Sequence, residues 1–289
     1  METPSHLTRD QQQIRLRELK MASTNIQFDG ATGKINAYLT KPDAAGARPG
    51  IIVIHEIFGL VDHTKDVAKR FAAQGYVTLA PDLFSGDEKL RTTLTPANVS
   101  AAFQFMQTLP TSRMRDTSYA LAELAKRGGD DKAIIEETMK LLFGGLPKEK
   151  LTQNLVKAVE YLNGQSFVKT GKIGSVGFCF GGGMSINLAC HANTASCVIF
   201  YGENPSPIEL VTKIQCPVLG IYGGEDMRIN SQLPELVKAM TEFKKDFEIR
   251  IYPGAPHAFF NDTNIHTYRQ EAAKEAWDRT LRFYSRTLN

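Results

Sequence analysis

A cysteine between closely spaced glycines is the best candidate nucleophile in this sequence. Cys179 lies in the run Gly177-Phe178-Cys179-Phe180-Gly181, after a β-branched run and before a helical pattern. Strand, sharp turn and helix form the setting of the nucleophile elbow G-x-S-x-G, here with cysteine in place of serine. At a helix N-terminus, the dipole and free N–H groups favour a thiolate, which attacks carbonyl carbon. The alternative is a buried cysteine in a glycine-rich crossover; no G-x-S-x-G occurs elsewhere to supply a competing serine.

Two further residues follow the cysteine in the chain order of a catalytic triad. The candidate strand Val218–Tyr222 runs into Gly-Gly-Glu-Asp, which places Asp226 just past a strand end. The candidate strand Phe247–Tyr252 runs into Pro-Gly-Ala-Pro-His, which places His257 in the same way. Nucleophile, acid and histidine in this order are typical of enzymes with the elbow motif. A histidine after a Pro-Gly turn is usually structural, and Glu225 is an alternative acid.

The loop His55–Gly59 directly follows an early strand and supplies a third element of the candidate site. Such a loop normally gives one N–H of an oxyanion hole, and the residue after the nucleophile gives the other. By position these are the backbone N–H groups of Ile57 and Phe180. Glu56 is expected close to the sulfur, where a carboxylate is costly unless it is paired. The alternative is a surface glutamate bonded to a loop amide.

Short β-branched runs alternate with amphipathic helical segments, the pattern of a mainly parallel sheet flanked by helices. The candidate strands are Ile26–Phe28, Lys34–Thr40, Gly50–His55, Tyr76–Ala80, Lys172–Phe178, Ser196–Tyr201, Pro217–Tyr222 and Phe247–Tyr252. The candidate helices are Asp62–Ala73, Lys150–Asn163, Gly182–His191, Gln232–Lys244 and Thr267–Ser285. The first two strands alternate polar and apolar residues, which favours an antiparallel start at one edge. The later strands bring the candidate side chains to one end of a sheet.

Residues 85–149 interrupt this alternation with helical stretches and contain no convincing strand. The clearest helices are Pro96–Gln107, Arg115–Lys126 and one near Lys132–Leu142. An insertion after a strand's carboxyl end is well placed to cover an active site, and the alternative is extra packing away from it. We therefore predict an α/β domain over residues 21–289 with a helical insertion at about 85–149.

The composition gives no support to several function classes. With 289 residues, 22% charged residues and a net charge of +3, nothing suggests nucleic-acid binding. No apolar stretch approaches the roughly 20 residues that span a bilayer. Residues 1–20 are polar and unlike a secretory signal, so we interpret them as an extension, disordered or added for expression, with Met21 as an alternative start. The four cysteines lack zinc spacing, and we expect a cytoplasmic, reducing setting without metal or organic cofactor.

At this point the sequence resembles the dienelactone hydrolase (carboxymethylenebutenolidase) family of the α/β-hydrolase superfamily. The resemblance covers about residues 24–286 apart from the 85–149 region. It rests on His-Glu-Ile-Phe-Gly at 55–59, Ala-Pro-Asp-Leu-Phe at 80–84, Gly-Phe-Cys-Phe-Gly-Gly at 177–182, Asp226, and Pro-His-Ala-Phe at 256–259.

The resemblance implies an α/β-hydrolase fold and a triad of Cys179, Asp226 and His257. It further implies a resting thiol hydrogen-bonded to Glu56, which substrate binding displaces so that the thiolate forms beside His257. Family members also carry two arginines that hold a substrate carboxylate, and the corresponding stretches 84–87 and 257–261 contain none. The candidates to replace them from another direction are Arg91, Arg113, Arg115 and Arg228.

We therefore expect an enzyme that hydrolyses a small-molecule ester or lactone through a thioester on Cys179. A general carboxylesterase or thioesterase for neutral apolar substrates is the alternative among enzymes, and a non-catalytic ligand-binding homologue is the alternative outside them. The aromatic residues expected to contact substrate are Phe58, Phe84, Phe178 and Phe259. We expect no nucleic-acid or membrane partner and a monomer or small homo-oligomer.

Overall fold

The computed structural model describes residues 20–113 and 116–288, and its centre is an eight-stranded sheet. The strands are β1 (Met21–Asp29), β2 (Lys34–Pro42), β3 (Arg48–Ile54), β4 (Val77–Pro81), β5 (Val168–Phe178), β6 (Ser196–Phe200), β7 (Val218–Gly223) and β8 (Phe247–Tyr252). Their spatial order is β1-β2-β4-β3-β5-β6-β7-β8. Strand β2 runs antiparallel to β1 and β4, and all other neighbours are parallel. The predicted mainly parallel sheet with an antiparallel start is confirmed.

Helices cover both faces of this sheet. They are α1 (Asp62–Ala73), α2 (Glu88–Thr93), α3 (Pro96–Gln107), α4 (Thr117–Lys126), α5 (Lys132–Gly144), α6 (Lys148–Asn163), α7 (Phe180–His191), α8 (Met227–Asn230), α9 (Leu233–Glu242) and α10 (Gln270–Thr287), with 3₁₀ turns at Thr111–Arg113 and Ile208–Lys213. Helices α1 and α10 pack on one face, and α6, α7 and α9 pack on the other. Side chains of β3 contribute to the cores on both faces of the sheet. Ile51 and Val53 pack in one core, and Ile52 and Ile54 pack in the other.

Between β4 and α6 the chain forms four helices, α2 to α5, as the helical pattern of residues 85–149 predicts. The short α2 was not predicted; Asp87 caps it by accepting a hydrogen bond from the Leu90 N–H at 3.0 Å. Helix α4 begins at Thr117 rather than Arg115, with Asp116 as its N-cap. The interior faces of α3, α4 and α5 share a small hydrophobic core of their own.

The predicted extension over residues 1–20 lies outside the described residues apart from Lys20, whose carbonyl accepts a hydrogen bond from the Asp43 N–H at 2.7 Å. Within residues 20–113 and 116–288, no helix has the length and apolar character that a bilayer crossing requires.

Candidate active site

Cys179 occupies a tight turn between β5 and α7. Its backbone has φ 56° and ψ −116°, a conformation that costs a non-glycine residue about 1–3 kcal/mol. The Cys179 N–H donates to the Phe200 carbonyl at 3.0 Å, and its carbonyl accepts from the Gly182 N–H at 3.0 Å. The first hydrogen bond ties the turn to the end of β6, and the second ties it to the first turn of α7. The sulfur-bearing side chain is half-buried rather than enclosed in the core.

Two glycines make this turn sterically possible. A Cβ on Gly177 would come within 1.8 Å of the Gly181 carbonyl oxygen. A Cβ on Gly181 would come within 2.4 Å of the Ile54 carbonyl oxygen at the end of β3. Backbone atoms cannot yield as a flexible side chain does, so both positions require glycine. The elbow is therefore packed directly against the loop that begins at His55.

The predicted acid and histidine meet at the same end of the sheet. Asp226 follows β7 and His257 follows β8, and the two strands are parallel neighbours. The His257 ring Nδ1 hydrogen-bonds the Asp226 carboxylate. The same ring interacts with the Cys179 side chain. The structure thus brings together Cys179, His257 and Asp226, whereas the alternative acid Glu225 is exposed to solvent.

The charges of this pair stabilise one another. Burial acts to lower the pKa of His257, but the hydrogen bonds to Asp226 and Cys179 and their charges raise it to about 10. Burial acts to raise the pKa of Asp226, but the hydrogen bond to His257 and its charge hold it below the usual value. A protonated imidazole and an ionised carboxylate therefore stabilise each other in this arrangement.

Glu56 lies behind the elbow with only 6% of its surface exposed. Burial raises the pKa of its carboxyl group, while a hydrogen bond from Asn261 and the charge of His257 act to lower it. The Asn261 Nδ2 donates to the Glu56 carboxylate at 2.7 Å. Among the described residues, the hydrogen bond expected between Glu56 and the Cys179 thiol is not observed, and the donor to this carboxylate is Asn261.

The candidate oxyanion donors are the N–H groups of Ile57 and Phe180, which lie on two different segments of the chain. Phe180 is the first residue of α7, so its N–H is one of the first-turn donors that have no acceptor within the helix. Ile57 follows Glu56 in the loop after β3, where the Gly59 N–H bonds back to the Glu56 carbonyl at 3.3 Å. Because Gly181 touches the Ile54 carbonyl, the two segments that carry these N–H groups are in contact.

The four predicted substrate-contacting aromatics separate into two groups. The partly exposed Phe58 contacts Phe103 of α3, with ring centroids 5.9 Å apart, and the buried Phe84 lies 5.8 Å from Phe180. By contrast, Phe178 and Phe259 are 2% and 0% exposed. Their rings lie in the core cluster shared with α1 and α10, and their contact with substrate stays a prediction.

Two residues of this site were missed by sequence reasoning. Asn261 lies four positions after His257 in the same loop, and only the structure shows that it faces Glu56. Tyr201 follows β6, has φ 40°, and is fully buried with its ring 5.0 Å from the His257 ring. Its place at the carboxyl end of a strand beside β5 is a signal that could have identified it.

The remaining cysteines and the candidate arginines lie elsewhere. Burial raises the pKa of Cys190 to about 12, and it raises the pKa of both Cys197 and Cys216. These thiols are core residues, as the sequence predicts. Arg228 pairs with Glu203 at 2.6 Å, and Lys148 pairs with the same carboxylate at 3.0 Å.

Of the other three candidate arginines, Arg91 and Arg113 lie among the described residues, and neither has an observed contact with the triad. Arg113 pairs with Asp116 at 2.9 Å, and Arg91 is exposed on α2. Arg115 lies outside the described residues. Neither of the two described arginines therefore supplies the substrate carboxylate clamp that the resemblance implies.

Comparisons with known proteins give matches over most of the chain. A family model described as "Dienelactone hydrolase family" matches residues 35–288. A relative from Saccharolobus solfataricus, named "Putative carboxymethylenebutenolidase", is 38% identical over 261 residues that cover 90% of this chain and 97% of the relative.

Solved structures show the same fold at low sequence identity. A dienelactone hydrolase-like promiscuous phosphotriesterase from metagenomic libraries is 20% identical with a TM-score of 0.70, covering 93% of this chain and 99% of that one. The dienelactone hydrolase from Anabaena variabilis is 17% identical with a TM-score of 0.62 and has the same coverage of both chains, 93% and 99%. The predicted α/β-hydrolase fold is confirmed.

Proposed function

Because the chain belongs to the dienelactone hydrolase family and is a carboxylic ester hydrolase, we propose that it cleaves its ester or lactone through Cys179 as nucleophile. The thiolate attacks the carbonyl carbon, and the carbonyl oxygen becomes an oxyanion. The N–H groups of Phe180 and Ile57 bind that oxyanion; loss of one such donor costs roughly 3–4 kcal/mol of transition-state stabilisation in related chemistry.

His257 completes both halves of the reaction. In its protonated form it donates a proton to the ester or ring oxygen as the carbon–oxygen bond breaks, which leaves a thioester on Cys179. The neutral imidazole then takes a proton from water, the hydroxide attacks the thioester carbonyl, and the acid is released with regeneration of the thiolate. Asp226 holds the imidazole by Nδ1 and stabilises its charged form.

A single observation carries this proposal: Asp226, His257 and Cys179 form a continuous chain of contacts at the carboxyl ends of three parallel strands. Its electrostatics support the same roles, because a histidine with a pKa raised to about 10 is available as a proton donor at neutral pH.

The substrate class is proposed from what surrounds the triad. A lactone or ester agrees with the family and with a Bradyrhizobium relative, 29% identical over 280 residues, whose name describes a lactonase. A neutral apolar ester is the second candidate, because Phe58 and Phe103 place aromatic surface near the site. It is further favoured by the pairing of Arg228 with Glu203, which partly neutralises one candidate for a carboxylate clamp.

The decisive experiment replaces Cys179 with alanine and uses Cys197→Ala as the matched control. We expect Cys179→Ala to reduce hydrolysis of a p-nitrophenyl ester to the uncatalysed rate, while Cys197→Ala retains turnover because that thiol lies in the core. Mass spectrometry of the wild-type enzyme quenched during turnover should show the acyl mass on Cys179. Turnover by Cys179→Ala at the wild-type rate would rule out the cysteine mechanism.

A paired substrate series tests the substrate class. Kinetics on lactones and esters of equal size, with and without a free carboxylate, should show no preference for the carboxylate if neutral substrates are used. A KM at least tenfold lower for the carboxylates would instead indicate a basic clamp.

A further inference from the structure

We propose that Asn261 is a positioning residue that holds the Glu56 carboxylate in place beside His257, and that hydrolysis depends on this hydrogen bond. The inference rests on the proposed function, since it assigns a role within the same site. It concerns a residue that occupies part of a stretch where the family resemblance leads one to expect an arginine.

The orientation of the Asn261 side chain is determined by its own loop. Its Oδ1 accepts a hydrogen bond from the Thr263 backbone N–H at 3.0 Å and lies 2.6 Å from the Thr263 hydroxyl. A backbone N–H can only donate, so the oxygen of the amide must face Thr263. The amide nitrogen therefore faces Glu56 and donates to it at 2.7 Å.

Glu56 needs this donor because it is buried. A carboxylate removed from water is stable in its charged form only when hydrogen bonds or positive charges replace its hydration. Asn261 supplies the hydrogen bond and His257 supplies the charge, and the two residues belong to one loop after β8. The loop therefore sets the position of the imidazole relative to both Cys179 and Glu56.

Other titratable groups also surround this carboxylate. Tyr201 interacts electrostatically with both Glu56 and Cys179. The His55 ring Nδ1 lies 2.6 Å from the Glu56 carbonyl oxygen, and Asp82 interacts with the same ring. Of the groups in contact with the Glu56 carboxylate, Asn261 is neutral and can be changed to an isosteric acid.

The test compares Asn261→Asp with Asn264→Asp. The Oδ1 of Asn261 accepts a hydrogen bond from the Thr263 N–H, and the Oδ1 of Asn264 accepts one from the His266 N–H. Aspartate keeps this acceptor, so each substitution retains its turn and adds one negative charge to the same loop. Only Asn261→Asp removes the donor to Glu56. Asn264 is exposed, which makes its variant the matched control.

We expect Asn261→Asp to lower kcat/KM for a p-nitrophenyl ester about 10- to 100-fold at pH 7, the size expected for loss of a charge-assisted hydrogen bond. Loss of the donor and gain of a neighbouring carboxylate both raise the pKa of Glu56. The inference requires Glu56 in its charged form. On acidification, Asn261→Asp should therefore lose activity at a pH at least about one unit higher than the wild-type enzyme does. Asn264→Asp should follow the wild-type profile within about twofold.

A double-mutant cycle with Glu56→Gln completes the test. If Asn261 acts through Glu56, Asn261→Asp should have little further effect on the Glu56→Gln enzyme. The rate of Cys179 alkylation by iodoacetamide, measured against pH, gives a readout independent of turnover and should shift with the same variant.

Several results would overturn the inference. They are a wild-type pH profile for Asn261→Asp, an equal loss of activity at every pH, and an effect that persists in full on Glu56→Gln. None of these bears on whether Cys179 is the nucleophile, which the Cys179→Ala variant tests separately.

Discussion

The loops at the carboxyl end of the sheet and the helical segment α2–α5 place their polar groups in opposite ways. In the loops, the carboxylates of Glu56 and Asp226 are buried, and Cys179 has a strained backbone. In the helical segment the charged pairs lie at the surface, as in Arg127–Asp131, where the side chains are 43% and 46% exposed. The interior of that segment is a separate cluster of apolar side chains.

This contrast indicates that the features that lower the stability of the fold are concentrated in the loops that carry the candidate catalytic residues. Buried carboxylates and a positive φ are unfavourable, and they persist only where surrounding contacts hold them. Among its described residues, the helical segment has no buried carboxylate and no non-glycine residue with a positive φ, and its helices pack by apolar burial. Its connection to the site includes the contact of Phe103 with Phe58. We therefore expect changes in the loops to alter rate and changes in the helices to alter stability.

The largest expected effect belongs to Asp226→Asn. An amide at this position cannot stabilise a charged imidazole and favours the wrong tautomer of His257, so kcat should fall roughly 10³- to 10⁴-fold. The amide oxygen can still cap α8 at the Ile229 N–H, so the variant should fold, but loss of the ion pair with His257 should lower its melting temperature. Steady-state kinetics on a p-nitrophenyl ester and a melting curve measure the two quantities.

The neighbouring Glu225→Gln is the matched control for that substitution. Glu225 is exposed, and its backbone rather than its carboxylate takes part in the loop, where its N–H donates to the Ala255 carbonyl at 3.0 Å. We expect kcat within twofold of wild type. A loss shared equally by both variants would break the assignment of Asp226 and with it the contrast between loop and surface carboxylates.

The sequence predicts the backbone turns of this site better than the directions in which its side chains point. Gly177 and Gly181 flank the nucleophile in the sequence and prove to be positions where backbone contacts exclude a Cβ. Phe178, by contrast, is only 2% exposed, and its predicted contact with substrate stays a prediction. Strands of a parallel sheet are buried on both faces, so no alternation of polarity shows which face lies beneath the site.

Asn261 shows a second limit of sequence reasoning. Its role depends on the direction in which an irregular loop returns over the sheet, and it contacts a residue 205 positions away in the chain. No local pattern records such a contact. The helix boundaries were easier, because capping residues and apolar periodicity act over a few positions, and α1 and α3 span the predicted ranges.

An intermediate effect is expected from Met139→Ala on α5. Met139 is fully buried in the core of the helical segment, and truncation of such a side chain costs about 2–5 kcal/mol of unfolding free energy. Chemical denaturation and hydrogen exchange in α4 and α5 should detect this loss, while kcat of the folded enzyme stays within about threefold of wild type. Ile134→Ala is the control, since Ile134 lies on the same helix and is exposed. A fall in kcat comparable with Asp226→Asn would contradict the separation of the two regions.

The smallest effect is expected for the surface pair Arg127–Asp131, which joins the end of α4 to the start of α5 with a 3.0 Å contact. Charges this exposed are screened by water and salt, so a double-mutant cycle with Arg127→Ala and Asp131→Ala should give a coupling of at most about 1 kcal/mol. Arg127 also lies over the Phe105 ring. Because both variants that lack the arginine lose this contact, it cancels from the coupling energy. The coupling should shrink further as salt is raised. A coupling above about 2 kcal/mol that resists salt would mean that the helical segment also depends on poorly solvated charge, and the contrast with the catalytic loops would then fail.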